Sequence, residues 1–286
     1  MQEPNRRCHD DTCQEAADRA VKKVFAILGV DVDNLTNEVA LQGAFRNLTG
    51  SASGLDADVD YAVDEIVLGD GSGNYAVARN VTKTITMSTS GAGGLDTGAV
   101  AASTWYYGYV IVKDDGTVAA LASLSASSPT LPAGYTKWAR VGSFRTDATA
   151  NKYPLAFAQA DRSVQYKVAS GSNVTGLPKM ASGSAGSVTV PTYVAVSVAN
   201  FIPPTAKVIK LLVYVSSVSD RVSVVPNASY GPQLSTTNPP MHQLFPNGTA
   251  GMYSYPTAMI LESASIYWAS LGAGCGLHCV GWEDSF

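Results

Sequence analysis

The amino-acid sequence predicts a mainly β protein: a short helical N-terminal segment followed by two β domains of sandwich or jelly-roll type. Three observations lead there. From Tyr61 onwards, runs dense in Val, Ile, Thr, Tyr and Trp recur between Gly, Pro, Asn and Asp clusters, the pattern of short strands joined by turns. Before that point one stretch has helical spacing instead. The charge is also uneven: residues 1–50 carry fourteen of the forty-two charged side chains, and residues 169–286 carry eight.

The helical reading covers residues 11–28. Asp10, Asp11 or Thr12 can cap it, with Glu15 in its first turn. Ala17, Val21, Val24 and Leu28 recur at helical spacing, and Ala20, Phe25 and Ile27 widen the stripe. Lys22 and Lys23 suit the C-terminal half, and Gly29 is a natural stop. A second, weaker helix is expected from about Thr36 to Arg46, and Asn47 to Gly54 reads as a linker.

Strands are expected at Tyr61 to Leu68, Val81 to Met87 and Thr104 to Val112. Lys113-Asp114-Asp115-Gly116 is a tight-turn signal, so Thr104 to Val112 and Val118 to Leu124 should form a hairpin. Tyr135 to Phe144, Tyr153 to Phe157 and Val164 to Val168 complete a first β domain, residues 55–168. Residues 169–186, rich in Gly, Ser and Asn, read as a second linker. Ser187 to Val198, Val208 to Val218, Val222 to Val225, Ala258 to Ala269 and Gly276 to Trp282 then make a second domain, residues 187–286. Within it, residues 226–257 form a Pro-, Asn- and Gly-rich segment that is long for a loop, so a functional or partner-held segment is expected.

Composition narrows the function. Charged residues are 15% of the chain, against about 25% in ordinary soluble domains. A net charge of −4 and a pI near 5.3 give no basic footprint for nucleic acid. No run approaches the ~20 apolar residues that span a bilayer, and the polar start Met1 to Arg7 is not expected to be a secretory signal. Neither nucleic acid nor membrane insertion is therefore expected.

Chemical motifs are few. Asp56-Ala57-Asp58-Val59-Asp60 begins like a calcium loop, but Tyr61 and Val67 stand where Gly and Glu are required, so a solvated edge-strand face is expected. Cys275 and Cys279, on one strand at ~3.3 Å per residue, would lie about 13 Å apart, too far for a disulfide. With Cys8, Cys13, His9 and His278 they match no ordinary zinc spacing, so reduced thiols and no metal or cofactor are expected. No nucleophile elbow, zincin or Walker motif occurs. Glu262 and Glu283 are the only glutamates after Glu65, which is poor provision for the paired carboxylates of a glycosidase. A non-enzyme is expected. The positive signal is aromatic: Tyr230, Tyr253, Tyr255, Trp268 and Trp282, beside hydroxyls and amides that suit a sugar or protein surface.

Several stretches are familiar together. Leu95-Asp96-Thr97-Gly98 before Thr104-Trp105-Tyr106-Tyr107, then Pro129-Thr130-Leu131-Pro132-Ala133-Gly134-Tyr135, then Val141-Gly142-Ser143-Phe144-Arg145-Thr146-Asp147, resemble a β domain of fibre-type proteins of tailed bacteriophages. Ser265-Ile266-Tyr267-Trp268-Ala269 followed by Val280-Gly281-Trp282-Glu283-Asp284 resembles the C-terminal β-sandwich of the same proteins. The helical stretch Cys13 to Val21 and on to Asp31 is similar to the start of other short phage proteins.

The resemblance implies a virion structural protein, assembled in the bacterial cytoplasm as a homotrimer. Its residues 1–50 would be docked on a tail or capsid component, and its C-terminal domain would face outward. Ala17, Val21, Val24, Phe25 and Leu28 are then the expected anchor or oligomer contacts, and Tyr230, Tyr253, Tyr255 and Trp282 the expected host-glycan surface. A capsid decoration or head-fibre protein of mainly structural role is the alternative. A polysaccharide depolymerase is less favoured.

Overall fold

The computed structural model describes residues 41–246 and 253–286. The expected helix over residues 11–28, with Ala17, Val21, Val24, Phe25 and Leu28, lies outside the described residues. Those described are mainly β, with no helix among them, in one 13-stranded and one 4-stranded sheet.

In chain order the strands are β1 (Phe45–Arg46), β2 (Thr49–Ala52), β3 (Asp58–Gly69), β4 (Tyr75–Thr86), β5 (Trp105–Lys113) and β6 (Val118–Ser123). Then come β7 (Tyr135–Arg145), β8 (Phe157–Ala160), β9 (Ser163–Tyr166), β10 (Lys179–Ser182) and β11 (Val194–Ser197). The last are β12 (Val208–Val215), β13 (Arg221–Val225), β14 (His242–Leu244), β15 (Tyr253–Ile260), β16 (Ser265–Leu271) and β17 (Gly276–Glu283).

Several expectations are corrected. A helix reaching Arg46 does not form: Gly43 takes φ 84°, which ends any helix, and Phe45–Arg46 pairs with β3. The expected linker 47–54 contributes β2, bonded to β3 on one side and β8 on the other. Its small residues belong to the sheet: a methyl group on Gly50 would come within 2.7 Å of the Tyr61 ring. The linker 169–186 likewise contributes β10, paired with β17. The single strand expected from Ala258 to Ala269 is two, β15 and β16, in different sheets. The β5–β6 hairpin forms at the turn its sequence indicated, with Gly116 at φ 85° and its N–H donating to Lys113 O.

The Asp56–Asp60 run opens β3, which is an interior strand rather than an edge. Asp58 and Asp60 accept the hydroxyls of Thr86 and Thr84 across the β3–β4 ladder, at 2.7 and 2.6 Å. Asn47 and Asn80 both adopt left-handed φ, 54° and 52°, a conformation Asn tolerates better than other side chains. Near this level the inward positions of β3 change from Val59, Tyr61 and Val63 to Ile66 and Leu68. The β3–β4 register is nonetheless the same on either side of this level.

The large sheet runs β15-β12-β17-β9-β8-β2-β3-β7-β5-β6, so β9 and β17 join the two expected β regions by direct pairing. One hydrophobic cluster also passes through both regions, from Tyr61, Val110 and Phe144 to Leu211, Val224 and Trp282. The small sheet, β11-β16-β13-β14, supplies Val196, Val222, Val224 and Ile266 to that cluster. Opposing them is β12, whose alternation buries Ile209, Leu211, Val213 and Val215. Each such side chain contributes about 1.5–3 kcal/mol on burial.

Candidate functional site

The expected recognition aromatics scatter. Tyr255 is 53% exposed on β15, at one end of the large sheet. Tyr230 is half-buried in the loop after β13. Tyr253 opens β15 but its side chain lies outside the described residues. Trp282 is corrected: it is 1% exposed and belongs to the core. It pairs with Ile209 and Val164 on the neighbouring strands, and its ring meets Trp105 edge-on at 5.4 Å and Tyr166 at 5.6 Å. A strand bonded on both sides and covered on this face leaves no route to solvent for an indole.

The long 226–257 segment contains β14 and the start of β15. Part of the preceding loop is held by its own chain: Gln233 N–H donates to Val188 O at 3.0 Å, Gln233 Nε2 to Val222 O at 2.9 Å, and Tyr193 Oη to Gly231 O at 2.9 Å. Leu234 and Met241 remain exposed on it.

The reactive groups have muted chemistry. Cys275 and Cys279 are free and buried, and desolvation pushes their thiols up to about 11 and about 12. His278 stacks on Tyr214 at 5.3 Å, and its pKa is lowered by burial and then by Lys179. The His242 Nδ1 lies 2.7 Å from the Thr257 hydroxyl. Among the described residues, no group of three His, Cys, Asp or Glu could hold a metal ion. Glu262 accepts from Asn227 Nδ2 at 2.7 Å and borders a cleft of about 310 Å³. Val198, Ile202, Pro203 and Lys207 also line this cleft, in which Glu262 is the one carboxylate among the described residues.

The chain folds two arginine-centred places that composition alone did not indicate. In the first, Arg140 of β7 meets Asp284, just beyond β17, at 3.5 Å, with side chains 8% and 0% exposed. Thr205 Oγ1 donates to the same Asp284 oxygen at 2.6 Å. Arg140 also donates to Ala126 O at 3.1 Å and to Ser285 O, and its guanidinium lies over the Tyr107 and Phe286 rings. This ties residues 284–286 to the β5–β7 sheet. Beside it opens a cleft of about 410 Å³, with Gln42, Trp138 and Ser127 on its walls.

The second is Arg145, the last residue of β7. Its Nη2 donates to Asn200 Oδ1 at 3.1 Å, across the junction between the two β regions. It lines a cleft of about 390 Å³ together with Leu155, Asn173, Thr175, Pro178, Asn200 and Phe201. Asn173 is committed to the framework: its Oδ1 accepts Ala156 N–H at 3.0 Å, and its Nδ2 donates to Asp147 at 3.0 Å and Pro154 O at 3.1 Å. Arg145 falls inside the Val141–Asp147 stretch. The signal available in the sequence was a lone cation ending a strand in a chain short of charge.

No protein-family model matches the chain, and no curated protein matches it.

Proposed function

We propose that the chain is a structural subunit of a bacteriophage fibre, a homotrimer of two-layer β-sandwich type, attached to the virion through residues 1–50. Its β body meets a host-surface glycan and performs no catalysis. The observation that carries this reading is the partition of charge: fourteen charged side chains in residues 1–50 and eight in residues 169–286. A charged amphipathic segment too short to be stable alone calls for a partner surface. A β body short of charge suits packing against identical copies around an axis.

Other observations support it. The core is shared across the whole β body, so the body behaves as one rigid spacer. The clefts along it are lined by amides, hydroxyls and aromatic rings, the groups that hydrogen-bond and stack on sugars. Among the described residues the Glu262 cleft holds a single carboxylate, where glycoside hydrolysis uses two.

The test is microscopy of the intact particle, with the protein labelled by a Fab fragment against residues 253–286. The reading expects label at the tips of fibres on the tail. Label spread over the capsid would give the head-fibre or decoration role instead, and no label on particles would overturn both. A chain lacking residues 1–50 should stay off the particle, and its normal incorporation would remove the anchor role.

A further inference from the structure

We infer that the Arg145 cleft binds a carboxylate-bearing sugar residue, so that the glycan of the reading above is an acidic one. The inference rests on that reading and deepens it. A guanidinium carries five N–H donors in a fixed fork. Among the described residues, the Arg145 guanidinium makes one hydrogen bond, to Asn200, and no Asp or Glu lies within ion-pair distance of it. Its Nε is buried without a partner.

Other arginines of the described residues meet an acid or an aromatic ring. Arg140 has Asp284 and two carbonyls, Arg79 has Glu65, Arg162 lies over Phe45 and Phe286, and Arg221 lies 4.0 Å from the Phe245 ring centre. Arg145 has one acceptor, with neither an acid nor a ring against its guanidinium among the described residues, and it lines an open cleft.

The acceptor that suits such a fork is a planar anion, held by two parallel charge-assisted bonds. The rest of the cleft suits the body of a sugar. Leu155, Pro178 and Phe201 supply apolar wall for ring C–H groups. Thr175 and Asn200 are exposed at the cleft and bring a hydroxyl and an amide for sugar oxygens. An acidic peptide offers the same carboxylate, but its backbone would ask for a bare strand edge or a long groove. This cleft presents side chains around a compact hollow.

Titration calorimetry of the full chain tests this with three probes: a glucuronate-containing tetrasaccharide, the same tetrasaccharide with its carboxylates reduced to alcohols, and a glutamate-rich peptide. The acidic sugar should bind at least roughly tenfold more tightly than its reduced form, the size of one charge-assisted hydrogen-bond pair. Arg145→Gln should abolish that difference, and Arg145→Lys should restore only part of it. Thr175→Trp, which fills the cleft mouth and leaves Arg145 in place, should weaken the acidic sugar with no change in melting temperature. This variant carries the test if Arg145→Gln fails to fold.

Equal binding of the acidic and reduced sugars, or full acidic-sugar affinity in both Arg145→Gln and Thr175→Trp, would overturn the acidic-sugar site and leave glycan recognition standing. Binding of the peptide alone would replace the sugar by a protein partner. Failure of both sugars and of intact host polysaccharide would remove glycan recognition itself.

Discussion

In the region from residue 55 to 168, ion pairs stand on the surface. Arg79 Nε lies 2.7 Å from Glu65 Oε2 with both side chains well exposed, and Lys137 reaches Asp114, itself 72% exposed, at 2.9 Å. In the region beyond residue 187 two of the four carboxylates, Glu262 and Glu283, are exposed, and the other two turn inward. Asp220 and Asp284 are 4% and 3% exposed, and Asp284 meets an arginine of the first region. Charge in the first region keeps a surface soluble at little energetic consequence. Charge in the second is scarce, and its buried member Asp284 is structural, joining one part of the chain to another. Mutations of equal formal charge should therefore differ several-fold in cost according to whether the side chain is buried.

The largest effects belong to the junction. Asp284→Ala strands the buried Arg140 guanidinium without its carboxylate and should lower unfolding free energy by about 3–5 kcal/mol in urea titrations. Trp282→Ala, which empties the contact with Trp105 and Tyr166, should cost a similar ~3–5 kcal/mol. A loss below about 1 kcal/mol for either would mean that the regions are not held together as described.

Next in size is Gly142→Ala. A methyl group there would come within 2.5 Å of Gln159 Oε1 and 2.8 Å of Tyr61 Oη, both on well-buried side chains. Overpacking of this kind costs about 1–3 kcal/mol. The same change at Gly176, which has open space around it, should be silent in the same assay.

A pH effect is smaller. The folded His278 pKa is lowered by burial, so the folded state disfavours the imidazolium. Its contribution is present above the ordinary value of 6.5 and is lost as pH falls below that value towards the folded pKa. The stability difference between wild type and His278→Gln should therefore shift against wild type between pH 7 and 5, measured by urea midpoints. A difference that stays constant over this range would contradict the burial of His278 behind Tyr214. The smallest effect is Arg79→Ala: the exposed pair with Glu65 should be worth about 0–1 kcal/mol.

The β character of the body could be read from residues alone, because Trp105–Lys113 and Val208–Val215 carry dense β-branched and aromatic runs. The turn at Gly116 could be read too, because Asp-Asp-Gly puts turn-forming residues before a glycine that accepts the positive φ found there. What was illegible depended on partners distant in sequence. Thr49–Ala52 reads as a linker until β3 and β8 flank it. Trp282 reads as a surface aromatic until β12 and β9 enclose it. Asp284 looks like a solvated tail residue until Arg140, 144 positions earlier, arrives beside it. Arg145 illustrates the same limit, since its lack of acceptors is a property of the fold around it. Periodicity reports one strand's two faces; it does not report what covers them.

As proposed above, a β body this poor in charge packs against copies of itself. Sedimentation equilibrium of the full chain tests it directly. A mass three times the 29.8 kDa of the single chain, unchanged on dilution to nanomolar concentration, is the predicted result. A stable species at the single-chain mass across the same range would contradict it.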